Sequence, residues 1–115
     1  MIRNAWFPFA FTALMLLAAC GSKDDTITKP PESADKLYSE ARAKYDADNY
    51  KEAAKEFDEV DRQHPSSPWA VHAQVMSAYS SYQAEDYDTA IATLNNFVRL
   101  YPNDDSTPYA YYLKA

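Results

Sequence analysis

The residues best suited to chemistry in this chain of 115 are one cysteine, two histidines and a short acidic run. Cys20 lies in LLAACGS, Leu16 to Ser22, between an apolar stretch and a polar one. It cannot close a disulfide within the chain, because there is no second cysteine. As a nucleophile or metal ligand it would need a base or co-ligands nearby, and His64 and His72 are far downstream. His64 precedes Pro65 at a predicted helix end, where a hydrogen-bonding or cationic tip is favoured without any metal. His72 falls one turn ahead of Val75 and Met76, as a groove residue or a surface residue. Neither histidine has a second ligand at usable spacing. Asp58, Glu59 and Asp61 read as the solvated face of a helix. A single glycine excludes a glycine-rich phosphate loop, and no serine sits in a nucleophile motif. The pattern predicts no enzyme and no cofactor, which leaves covalent modification as the use of Cys20.

The flanks of Cys20 agree with that use. Met1-Ile2-Arg3 supplies one positive charge, Ala5 to Leu17 is almost wholly apolar and Ala18-Ala19 are small, the layout of a signal peptide over residues 1–19. A bilayer-spanning helix needs about 20 apolar residues, and this run is shorter and interrupted by Pro8. An ordinary secretory signal with an incidental cysteine is one reading. The other rests on Leu17-Ala18-Ala19-Cys20, which resembles the bacterial lipobox. That resemblance implies cleavage before Cys20 and acylation of its sulfur and its amino group, and it accounts for the position and the solitude of the cysteine. Two or three acyl chains make a durable anchor, since each buried methylene contributes about 0.8 kcal/mol while one chain alone binds only marginally. The membrane is then reached by the lipid anchor alone. Gly21 stands where an aspartate commonly favours inner-membrane retention, so the same resemblance implies an outer-membrane address.

Loss of residues 1–19 would remove Arg3 as the only charge and take the net charge from −6 to −7. An acidic chain without a basic block predicts no nucleic-acid partner. Ten tyrosines beside one glycine predict packed helices. Between Cys20 and the first helical pattern, GSKDDTITKPPE is polar, carries two adjacent prolines and has no apolar period, so residues 20–32 read as a lipidated cysteine and a tether. Extended, those twelve residues reach about 40 Å.

From Ser33 the chain reads as helix, turn, helix, and the pattern recurs. DNYKEAAKEFDEVDRQHP (Asp48 to Pro65) aligns with EDYDTAIATLNNFVRLYP (Glu85 to Pro102), matching Tyr50 with Tyr87, Ala53 with Ala90 and Pro65 with Pro102. Phe57 pairs with Leu94 and Val60 with Phe97, at the three-and-four spacing of a helix face. First helices are predicted at Ala34 to Ala47, at Trp69 to Ala84 and from near Pro108. Asn49 with Glu52, and Ser67 followed by Pro68, fit helix starts. The prediction is an all-α array of helical hairpins, with repeats at 33–67 and 68–104 and a partial one at 105–115.

The period and the pattern Ala53-x-x-x-Phe57 with Pro65 resemble the tetratricopeptide repeat. The first halves fit less closely: Leu37 and Gln74 stand where that signature has tryptophan, and Ala41 and Ala78 replace its glycine. A more specific resemblance joins the lipobox and tether to HPSSPWA, AEDYDTAIATLNNFVRLYP and YAYYLKA. Together these are similar to the amino-terminal half of the BamD family of outer-membrane assembly lipoproteins. It implies a periplasm-facing scaffold, anchored by lipid to the outer membrane, whose partners are β-barrel assembly proteins and unfolded outer-membrane protein clients. Family members continue to about five repeats, so this chain is expected to be a fragment. The apolar, aromatic YAYYLKA lacks a partner helix, and marginal stability of residues 21–115 is expected with it.

The first helices also carry a stripe. Tyr38, Arg42 and Tyr45 are spaced i, i+4, i+7, as are Val75, Tyr79 and Tyr82, and Tyr109 and Tyr112 extend the row. Two readings stay open: packing between hairpins, or the floor of a groove for an extended or helical peptide with apolar side chains. Ala34, Leu37 and Ala41 supply a separate apolar face, which favours the groove. A clamp for a terminal carboxylate is poorly supported, because only Arg42 and Lys44 could serve. An unrelated envelope repeat lipoprotein, acting as a cell-wall or division adaptor, is the alternative function; further helical repeats are common to both, and co-purification with a barrel-assembly protein separates them.

Overall fold

The computed structural model describes residues 31–115. Five helices and no strands occur among them: α1 (Ala34–Asp46), α2 (Tyr50–Gln63), α3 (Pro68–Gln83), α4 (Tyr87–Leu100) and α5 (Thr107–Lys114). The fold is all-α and tetratricopeptide-like, with each helix packed on the one before and α1 also touching α3. None of these helices is long and apolar enough to cross a membrane.

Local chemistry sets the helix ends. Ser67 caps α3, its hydroxyl accepting from the Trp69 amide at 3.1 Å, and Pro68 occupies the first turn, where its missing N–H costs nothing. Asp86 caps α4 through the Thr89 amide at 3.2 Å. Asn49 stands at the corresponding place before α2, yet its side chain makes no capping bond. Both hairpin turns close in the same way. After α1, the Asp48 and Asn49 amides donate back to the Tyr45 and Lys44 carbonyls; after α3, the Glu85 and Asp86 amides donate to Tyr82 and Ser81. This double closure places Asp48 and Glu85 in the left-handed region, at φ 60° and 63°. Glycine is favoured there, but the only glycine in the chain is Gly21. Glu85→Gly is therefore expected to raise stability by about 0.5–1 kcal/mol, read as a higher urea midpoint with unchanged slope.

The two cores are copies of each other, 37 positions apart. Leu37, Ala41, Ala53, Phe57, Val60 and Ala73 form the first; Val75, Ala78, Leu94, Phe97 and Ala110 form the second. Ala41, Phe57, Val60 and Ala73 thus recur as Ala78, Leu94, Phe97 and Ala110. The large ring moves one turn, from position 57 in the first core to position 97 in the second, while a smaller aliphatic takes the vacated place. The two pairs differ by only one methylene, so the exchange nearly preserves the volume that close packing must fill.

The acidic run does not form one solvated face. Gln74 on α3 donates to Asp61 at 3.1 Å, and the Ser77 hydroxyl donates to Asp58 and to the Ala54 carbonyl. Lost hydration raises the Asp58 pKa, against the Ser77 bond that lowers it. Glu59 is held within its own helix, where Arg62 and Gln63 keep its pKa down at about 2. The periodicity did not distinguish these residues, because a short polar side chain on α3 lets a carboxylate enter a helix seam.

A row of aromatic side chains on the first helices

The candidate site is built by α1, α3 and α5, with the first turns of α2 and α4 at its margin. Adjacent first helices cross so that a residue meets one 30 to 34 positions later: Tyr38 meets Trp69, Tyr45 meets Tyr79, and Tyr79 meets Tyr109. Rings follow one another without a break from Tyr50 through Tyr45, Tyr79 and Tyr109 to Tyr112, at centroid separations of 5.2, 5.8, 6.5 and 6.3 Å. A branch runs from Tyr79 to Tyr82 and on to Tyr87. These separations suit edge and offset contacts between rings.

The predicted stripe divides within the structure. Tyr38 packs edge-on against Phe57 at 5.3 Å, and both Tyr38 and Tyr45 lean on the first core. Arg42 is exposed, donates to Asp46 at 3.0 Å and lies 5.8 Å from the Tyr45 ring centre. Tyr79 is half-buried, with its hydroxyl accepting from Gln83 at 2.8 Å. Tyr82, Tyr109 and Tyr112 are exposed, Tyr112 by 78%. Val75 leaves the row: it is buried and belongs to the second core. Its displacement has a local cause. The residue equivalent to Leu37 is Gln74, whose amide turns to Asp61, so the apolar load of that turn passes to Val75.

Three members of the surface were not in the predicted stripe. Trp69 is exposed by 41% and lies 4.8 Å from Tyr38; Tyr50 and Tyr87 open the second helices and extend the row sideways. For Tyr50 and Tyr87 the matched places in the repeat are a signal that could have found them, whereas Trp69 has Ser106 at its matched place. His72 corresponds to Tyr109 and Arg42 to Tyr79, so the pair that is tyrosine–tyrosine between the second and third first helices is arginine and histidine between the first and second. The described residues contain no cluster fit to hold a metal. Cys20, the signal peptide over 1–19 and the tether up to residue 30 lie outside the described residues.

Burial and the neighbouring Tyr79 hydroxyl push the Tyr45 pKa up to about 12. The folded state therefore keeps a proton that the unfolded chain gives up near pH 10, and stability contributed by Tyr45 is full below that pH and lost as pH rises towards 12. In Tyr45→Phe the unfolding free energy should fall less steeply between pH 10 and 12 than in the wild type, a difference that urea titrations at stepped pH would measure.

With the helical array and its aromatic row established, relatives can be compared. The family model described as outer membrane lipoprotein, YfiO, matches residues 30–115. The chain belongs to this family. Similar proteins within it include the outer membrane protein assembly factor BamD of Caulobacter vibrioides, 37% identical over 101 residues, which cover 86% of this chain and 33% of the relative. The BamD of Rickettsia prowazekii is 39% identical over 103 residues, 88% of this chain and 40% of the relative. That of Neisseria meningitidis serogroup B is 33% identical over 106 residues, 88% and 39% respectively. The resemblance to BamD read from the motifs is thereby shown, and the chain spans two fifths or less of the length of these relatives.

Proposed function

We propose that this YfiO-family chain is the amino-terminal part of a lipid-anchored, periplasm-facing scaffold of outer-membrane β-barrel assembly. It is not an enzyme; it binds partner proteins of the assembly machinery and segments of unfolded outer-membrane proteins. The observation that carries the reading is the unbroken aromatic row from Tyr50 through Tyr45 to Tyr79, with the exposed faces of Tyr82 and Tyr87 open beside it. A folded chain leaves such a patch open where apolar contact with a partner is its use. Tyrosines suit this task, since each offers a large apolar ring with a hydroxyl tip and loses little rotamer entropy on binding. The relatives' name, outer membrane protein assembly factor, supports the same role, and the family description supports the membrane.

The ligand class follows from the lining. Arg42 is already engaged by Asp46, so a terminal carboxylate finds no free clamp there. Recognition rests on aromatic and apolar side chains of an extended or helical segment. Tyr79→Ala with Tyr82→Ala should weaken binding of an aromatic-rich outer-membrane protein peptide at least tenfold, because ring contacts of this kind are where interface energy concentrates. Fluorescence anisotropy with a labelled peptide measures it. Equal affinity at unchanged helicity would assign the row to packing.

A further inference from the structure

Glu32, two residues before α1, is fastened to the far end of α2. The Glu32 backbone carbonyl lies against Nε2 of His64, 32 positions later. A carbonyl oxygen carries no proton, so the bond fixes the His64 tautomer: Nε2–H donates. The Glu32 carboxylate accepts from Lys36 Nζ on α1 at 2.8 Å, and its side chain is only 13% exposed. Two groups of one residue are thus held by two helices. The Ser33 carbonyl next to it accepts the Leu37 amide at 3.0 Å and starts α1, so the fastening continues directly into the helix ladder. His64 is itself fixed, its amide donating to Val60 and its carbonyl accepting from Ser67 in the turn to α3.

We propose that Glu32, His64 and Lys36 form a clasp that sets where, and in which direction, the amino-terminal segment leaves the repeat domain. The exit lies at the end of the array where Tyr38 meets Trp69, so the clasp fixes the point of attachment relative to the aromatic row. Without the clasp, a pivot at Ser33 would let the row turn freely about its attachment. This inference rests on the reading that the chain is anchored through its amino terminus. It adds a fixed joint between that segment and the domain, and it gives His64 a use that neither metal binding nor a simple helix end supplies.

The test places nitroxide labels on the full chain at Pro31→Cys and Asn96→Cys and measures the distribution of distances between them. Acylated Cys20 is inert to the label, so a third label incorporated there would show that the anchor reading had failed, separately from the clasp. A narrow distribution is expected for the otherwise native chain. His64→Leu, which keeps bulk and removes the donor, should broaden it about twofold, and His64→Gln, which restores an N–H donor, should narrow it again. Glu32→Ala removes the tie to Lys36 without touching the helices and should broaden it as well if His64→Leu does not fold. A width unchanged in both His64→Leu and Glu32→Ala, or equally broad in the native chain, would overturn the clasp.

Discussion

Truncating Phe57 to alanine should lower the unfolding free energy by about 3–5 kcal/mol, enough to unfold much of the domain at ambient temperature. Phe57 is fully buried on α2 and touches α1 through Tyr38, while its cluster reaches α3 through Ala73. The one side chain thus ties α2 to the core it shares with α1 and α3. The flanking residues are Ala41, Ala53 and Ala73, whose short side chains cannot swing into the vacancy, so relaxation recovers little. Urea unfolding followed by circular dichroism measures the change. A loss below 1 kcal/mol would mean that the first hairpin does not depend on this core. Phe57→Leu reproduces the residue found at the equivalent position 94 and should cost much less.

Cys20→Ala should move the protein from the membrane fraction to the aqueous phase, a shift in partitioning of more than tenfold. The expectation rests on the lipobox-like Leu17-Ala18-Ala19-Cys20 and on membership of a family of outer membrane lipoproteins. The described helices offer no spanning segment to replace the anchor. The folded domain should be untouched, with the same thermal midpoint, because the substitution lies ahead of the tether. Mass spectrometry of the mature amino terminus is the direct check on the wild type. An unmodified thiol at Cys20 would defeat the anchor and leave the repeat fold standing.

Much of the fold was legible in the chain. The 37-residue offset that pairs Ala53 with Ala90 and Phe57 with Leu94 is a core signature, since those residues recur at helix spacing and bury the same face in both copies. Ser67 and Pro68 announced the start of α3 through chemistry that acts within one turn. Less was legible where a contact joins distant positions. Asp58 and Asp61 carry the same charge as any solvated pair on a helix. Only the arrival of Ser77 and Gln74 from α3 turns them into a seam. The left-handed Asp48 and Glu85 escaped notice because neither is glycine or asparagine, the residues by which such turns are recognised.

The aromatic stripe shows the same division. Spacing placed Tyr38, Tyr45, Tyr79, Tyr82, Tyr109 and Tyr112 on the first helices, because a helix of 3.6 residues per turn leaves no choice about which residues share a face. It could not say which rings lean on a core, which stay open, or that Val75 goes inside. Those outcomes depend on how α1, α3 and α5 cross, and the crossing brings each ring to a partner about thirty positions away. The sequence by itself determined the helices and their repeat. The tertiary structure decided the continuous row, the carboxylates drawn into the α2 and α3 seam, and the hold of His64 on Glu32. Each of these is a contact between segments, settled by packing that no local pattern encodes.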